Sequence, residues 1–160
     1  MKATGVVRRI DDLGRIVIPK EIRKTLRIKE GDPLEIFTDR EGQVILKKYS
    51  PIGELSEFAT EYAETLAKTT GHIACITDKD TVIAVSGGSK KEYLEQSISK
   101  DIERIMDYKE VYTSKENNDV SVPITKGTEG KKNNSQVVYP IISDGDAIGT
   151  VILLSKDEKT

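Results

Sequence analysis

The sequence predicts an α+β chain of two small domains, and three observations lead there. Charge divides the 160 residues: residues 1–50 hold 12 Lys+Arg against 8 Asp+Glu, a net of +4, while the rest hold 13 against 19, a net of −6. Hydrophobic patterning changes at the same place, from short β-branched runs bounded by turn residues to a helical stripe. Length allows either one ordinary domain or two small ones, so charge and patterning decide. A basic front half points to nucleic acid as its partner, which the overall pI near 5.6 conceals.

The front half is organised around Gly5 to Arg27, GVVRRIDDLGRIVIPKEIRKTLR. Val6-Val7 and Ile16-Val17-Ile18 flank the turn formers Asp11-Asp12-Leu13-Gly14, the pattern of a hairpin. Pro19 closes the second strand, and its fixed φ and missing N–H suit the first turn of a helix, predicted over Lys20 to Leu26. Ile22 and Leu26 give that helix an apolar side, with Lys20, Arg23, Lys24 and Arg27 on the other. Arg8, Arg9 and Arg15 bring the cations to seven, five of them arginine, with only Asp11, Asp12 and Glu21 between them. A solvated face mixes its charges more evenly, and arginine's planar fork matches phosphate, so the spacing predicts a surface for the phosphate backbone.

Glu30-Gly31-Asp32-Pro33 reads as a turn. Leu34 to Phe37 and Val44 to Leu46, around Asp39-Arg40-Glu41-Gly42, read as a second hairpin, giving β-β-α-β-β in 50 residues. A domain of about 60 residues hides only some 60% of the surface its unfolded chain exposes, so dimerisation is expected.

These residues carry a resemblance. Through TGVVRRIDDLGRIVIPKEIR, GDPLEI and ILKKY, residues 1–50 resemble the DNA-binding domain of the AbrB family of bacterial transition-state regulators. The continuation after Ser50 is similar to sporulation members that add a sensor-like GAF domain. The resemblance implies a swapped-hairpin β-barrel formed by two interleaved chains, with DNA-contacting cations at Arg8, Arg9, Arg15 and Arg23 and at Lys24, where arginine is usual. Lys24 and Arg27 are expected in support. The implied function is a DNA-binding transcriptional regulator of sporulation and forespore gene expression. It would bind double-stranded DNA as a homodimer, and its GAF-like domain would join dimers into a tetramer or sense an unknown small molecule. Phosphate contact and DNA shape are expected to outweigh base readout, because arginines dominate and no long recognition helix offers Asn or Gln.

In the second half, predicted as residues 51–160, Lys47-Lys48-Tyr49-Ser50-Pro51 marks the junction. Leu55, Phe58, Ala59, Tyr62, Ala63, Leu66 and Ala67 then make a helical stripe, ended by Gly71. The stripe could pack on the chain's own sheet or, being narrow and rich in alanine, on its counterpart in a second subunit; both could hold at different points. Ile73 to Ile76 and Val82 to Val85 read as an antiparallel pair. A helix from Lys90 to about Met106, a weak strand near Val111-Tyr112, a short one from Val120 to Ile124 and a polar loop from Lys126 to Gln136 follow. Strands at Val137 to Ile142 and Ile148 to Leu154 complete an antiparallel sheet with helices. Similar proteins continue past the last strand into a closing C-terminal helix, whereas this sequence stops within six residues, at Ser155 to Thr160, so either a shortened chain or a GAF-like domain without that helix is expected.

No catalytic, metal or cofactor constellation emerges, and no enzyme is expected. Ser86-Gly87-Gly88-Ser89 reads as a turn with a serine cap before it reads as an anion site. His72 is the single histidine, with no ligand cluster spaced around it. Cys75, the single cysteine, excludes an internal disulfide and sits in an apolar strand. Asp78 and Asp80 suit a turn. Without a membrane-length apolar run or an export signal, a cytoplasmic, nucleoid-associated location is expected, and Asn133-Asn134-Ser135 is not read as a glycosylation site. The alternatives are an antitoxin of the MazE type, disfavoured by the periodic segments after Ser50, and a small-molecule signalling protein built on the GAF-like half.

Overall fold

The structure, a computed structural model, describes residues 2–88, 90–118, 120–128 and 135–155. The chain divides into two compact units, Met1–Tyr49 and Ser50–Thr160.

In the first unit, helix α1 spans Lys20–Leu26 and starts behind Pro19, whose ring fixes φ at −57°. Arg27 stops it in the left-handed region at φ 56°, its N–H shared by the carbonyls of Arg23 and Lys24. The Ile28 N–H returns to the Arg23 carbonyl at 2.8 Å. Strands β1 (Leu34–Thr38) and β2 (Val44–Lys48) pair antiparallel, from Leu34 opposite Lys48 to Thr38 opposite Val44. Lys47 Nζ lies 5.1 Å from the centroid of the Phe37 ring, a cation–π contact.

The first hairpin is present as its turn and not as paired strands, which corrects β-β-α-β-β to a turn, a helix and one hairpin. A two-stranded ribbon alone in water is marginal, and this unit offers nothing to cover its arms. Val7, Ile10 and Val17 stay at least 70% exposed, and none of the described residues from 2 to 49 is buried.

The second unit is a five-stranded antiparallel sheet in the order β4-β3-β7-β6-β5. Its strands are β3 (Ile73–Thr77), β4 (Val82–Ser86), β5 (Tyr112–Thr113), β6 (Gln136–Ser143) and β7 (Asp146–Leu154). Because side chains alternate along a strand, Cys75 faces one core while Ala74 and Ile76 face the other. On the Ala74 face lies α2 (Ser56–Thr70), which buries Ala59, Ala63 and Ala67 at spacing four. On the Cys75 face lie α3 (Lys90–Tyr93) and α4 (Lys100–Tyr108), which contribute Tyr93, Ile102 and Met106.

Two predicted elements are corrected here. The helix expected from Lys90 to Met106 is broken, because residues 95–98 serve the sheet edge instead. The Glu95 N–H bonds the Val82 carbonyl, Val82 N–H the Gln96 carbonyl, and Ile98 N–H the Asp80 carbonyl, with Glu95 at φ 62°. Ser99 then caps α4, accepting the Ile102 N–H at 3.2 Å. The strand expected over Val120 to Ile124 is an irregular segment that bonds a side chain in place of a neighbouring strand. The buried Gln136 amide accepts the Val122 N–H and donates to the Val122 carbonyl, both at 2.8 Å. The weak strand lies one residue later than expected, at β5, and most of the loop placed at 126–136 lies outside the described residues.

Pro140 sits inside β6 without breaking the sheet. Gln136, four residues earlier, turns its backbone toward β5, where its carbonyl accepts the Ser114 N–H at 2.9 Å. By the strand's alternation Pro140 turns its missing donor to that same outer side, beyond the two-residue β5. The α2 side of the sheet is only partly covered: Tyr139 on β6 is exposed, as are Leu55 before α2 and Phe58 and Tyr62 on its outer side.

Candidate nucleic-acid interface

The cations singled out in the sequence lie on two adjoining pieces of the first unit. Arg8, Arg9 and Arg15 flank the turn; Arg23 and Lys24 are on α1, and Arg27 is its cap. All but the half-buried Arg27 are exposed, and among the described residues Arg8, Arg9, Arg23 and Lys24 have no carboxylate within ion-pair reach. Arg23 is tied back by Nε, which donates to the Ile18 carbonyl at 3.1 Å, and Arg8 Nη1 reaches the Val7 carbonyl at 3.3 Å. Lys48 on β2 donates to the Arg27 carbonyl at 3.2 Å, fastening the end of α1 to the hairpin.

Arg15 is held differently. The Asp11 N–H donates to the Arg15 carbonyl and the Gly14 N–H to the Asp11 carbonyl, with Gly14 at φ 76° where a side chain would be strained. One Asp11 oxygen, Oδ1, accepts the N–H groups of Leu13 and Arg15, and the other, Oδ2, accepts Arg15 Nε at 2.8 Å. The Arg15 N–H first, then its guanidinium, holds the Asp11 carboxyl below its ordinary value, so Asp11 stays ionised wherever DNA is handled. Sequence reasoning counted Asp11 only as a turn former. The signal available was the acid–base pair at spacing four across Gly14.

The other candidates are structural. At Gly87 an added Cβ would stand 2.8 Å from the His72 carbonyl oxygen, so the glycine answers a close approach, while Ser89 lies outside the described residues. Asp78 Oδ1 accepts the N–H groups of Asp80 and Thr81, each at 2.7 Å, and shapes the β3–β4 turn. Burial alone pushes the Cys75 thiol up to about 12, leaving it unreactive. Among the described residues no group of three or more His, Cys, Asp or Glu could hold a metal ion, and no helix is long and apolar enough to cross a membrane.

Comparison with known proteins places the two halves. Residues 54–160 match the family model described as stage V sporulation protein T C-terminal, transcription factor. Residues 7–54 match the model described as antidote-toxin recognition MazE, bacterial antitoxin. Stage V sporulation protein T of Bacillus subtilis (strain 168) is 58% identical over 158 residues, covering 99% of this chain and 87% of that protein. Transition state regulatory protein AbrB of the same organism is 61% identical over 51 residues, 32% of this chain and 52% of AbrB. The crystal structure of the GAF domain from Acinetobacter phosphoenolpyruvate-protein phosphotransferase is 13% identical, with a TM-score of 0.51, covering 71% of this chain and 72% of that one, a likeness of fold alone.

Proposed function

The chain belongs to the family of stage V sporulation protein T, and we propose that it regulates sporulation genes by binding double-stranded DNA through Arg8, Arg9, Arg15, Arg23 and Lys24, with Arg27 in support. The observation that carries this reading is that, among the described residues, Arg8, Arg9, Arg23 and Lys24 have no carboxylate within ion-pair reach. Four exposed cations without carboxylate partners are organised for a polyanion.

The binding form is a dimer. A unit whose apolar Val7, Ile10, Val17 and Ile36 are all at least 66% exposed has no core of its own, and a second copy is the economical cover for it. A two-fold pair of turns would present two arginine sets to related half-sites. The second unit joins dimers through Leu55, Phe58 and Tyr62, which stay exposed while Ala59, Ala63 and Ala67 pack on their own sheet. Any small-molecule effector of the GAF-like unit would add a discrete mass to the purified protein in native mass spectrometry. The regulator acts by binding and carries no catalytic step.

Fluorescence anisotropy with a labelled duplex at several salt concentrations tests the assignment, comparing residues 1–50, the full chain and two variants. Neutralising six to ten phosphates costs roughly 10³ to 10⁵ in affinity between about 50 and 200 mM salt. Arg8→Ala and Arg15→Ala are each expected to weaken binding without changing the circular dichroism spectrum. Unchanged affinity and unchanged salt slope in both variants would overturn the reading.

A further inference from the structure

We propose that Arg15 reads a guanine in the major groove and that Asp11 is its positioning residue, holding the guanidinium by Nε so that the two terminal nitrogens face the base edge. This rests on the DNA-binding reading above and assigns one of its arginines a different task.

The chain contains its own comparison. The Asp39–Gln43 turn between β1 and β2 repeats the Asp11–Arg15 turn bond for bond. Asp39 N–H donates to the Gln43 carbonyl, Gly42 N–H donates to the Asp39 carbonyl, and Asp39 Oδ1 accepts the N–H groups of Glu41 and Gln43 at 3.0 and 2.9 Å. Gly42 takes φ 83° as Gly14 takes 76°. Gln43 stands where Arg15 stands, so this turn closes with no arginine on its aspartate. The contact of Asp11 Oδ2 with Arg15 Nε is therefore not needed to build the turn. Nor does it add much stability, because Arg15 is 70% exposed and exposed ion pairs contribute little.

What the contact does is fix direction. With Nε engaged on Asp11, the guanidinium presents its other end, two parallel donors in one plane. That fork matches O6 and N7 of guanine, the commonest specific arginine contact. It suits phosphate less well here, because the Asp11 carboxylate beside it repels phosphate, whereas among the described residues Arg8, Arg9, Arg23 and Lys24 carry no such neighbour. The chain thus separates backbone clamps from a base reader by which cation is given a carboxylate.

The test uses the full chain and two labelled duplex probes: the tightest-binding sequence that the wild type selects from a random pool, and the unselected pool. Each is also made with 7-deazaguanine, which lacks the N7 acceptor. Asp11→Asn keeps an oxygen for the two backbone N–H groups and loses the charge on Nε; Arg15→Lys keeps the charge and loses the fork. Each is expected to lower the ratio of selected to pool affinity by roughly tenfold. Base replacement should weaken wild type on the selected sequence and leave both variants unmoved, and Asp39→Asn should change nothing. Equal weakening on both probes, or an equal response of wild type and variants to 7-deazaguanine, would overturn the proposal. Should Asp11→Asn lose its circular dichroism spectrum, Arg15→Lys decides alone. Failure of the wild type to bind either probe would instead remove the DNA-binding reading on which this rests.

Discussion

Among the described glycines of the second unit, Gly149 leaves the least room for a side chain. It lies on β7 opposite Ile141 of β6, and its neighbour Thr150 pairs with Thr77 of β3. A Cβ built there would stand 2.0 Å from the Thr77 carbonyl oxygen, 1.4 Å inside the 3.4 Å at which ordinary contact begins, and 2.9 Å from Ile52 Cδ1. The main obstacle is backbone, so β3 and β7 must separate locally. That separation strains the 2.7 Å bond between the buried hydroxyls of Thr77 and Thr150. Overpacking costs about 1–3 kcal/mol and a buried hydrogen bond lost without replacement about 1–3 more, so Gly149→Ala should cost about 2–6 kcal/mol. In urea, with a slope of about 1–3 kcal/mol per molar, the unfolding midpoint of the second unit should fall by roughly 2 M. Adding Ile52→Val should recover little, because it relieves only the side-chain contact. A midpoint within about 0.3 M of wild type would mean that β3 and β7 do not approach as described, and full rescue by Ile52→Val would place the clash on the side chain instead.

Three further predictions concern the same unit. Cys75 should resist iodoacetamide at about pH 8 in the native protein and react only on unfolding; prompt native labelling would contradict its burial. Its thiol rises from 9.0 to about 12 on folding, so the unfolded chain ionises first. The stability this group contributes is therefore fully present below pH 9.0 and lost as pH rises toward about 12, a loss that Cys75→Val should abolish in denaturant titrations. Phe58→Glu, at a position 66% exposed, should change folding stability by no more than about 0.5 kcal/mol. If the outer side of α2 joins dimers as proposed, the variant should nevertheless sediment as a dimer where the wild type sediments as a tetramer, and an unchanged mass would refute that role.

Much was legible where local signals had no competitor. Asp39 to Gly42 spells its turn and the flanking runs pair as expected, because both strands lie within fifteen residues and need no distant partner. Gly71 ends α2 at φ 72° for the same local reason. The failures lie where a distant partner outbid a local preference. Lys90 to Met106 has helical spacing, but the edge of β4 takes the backbone of residues 95–98, and nothing in those residues announces Val82 or Asp80. Val120 to Ile124 has strand composition, yet a side chain 14 positions away from Val122 supplies its bonds.

By itself the sequence determined the partition into a basic front and an acidic back, the identity of the cations and the family, since charge, turn chemistry and motif spacing are properties of neighbours along the chain. Only the tertiary structure decided which alanines of α2 face the sheet and why Gly149 must be glycine. Those outcomes depend on how closely neighbouring elements pack, and approach distance is set by packing across the sheet, where linear sequence carries no measure of it.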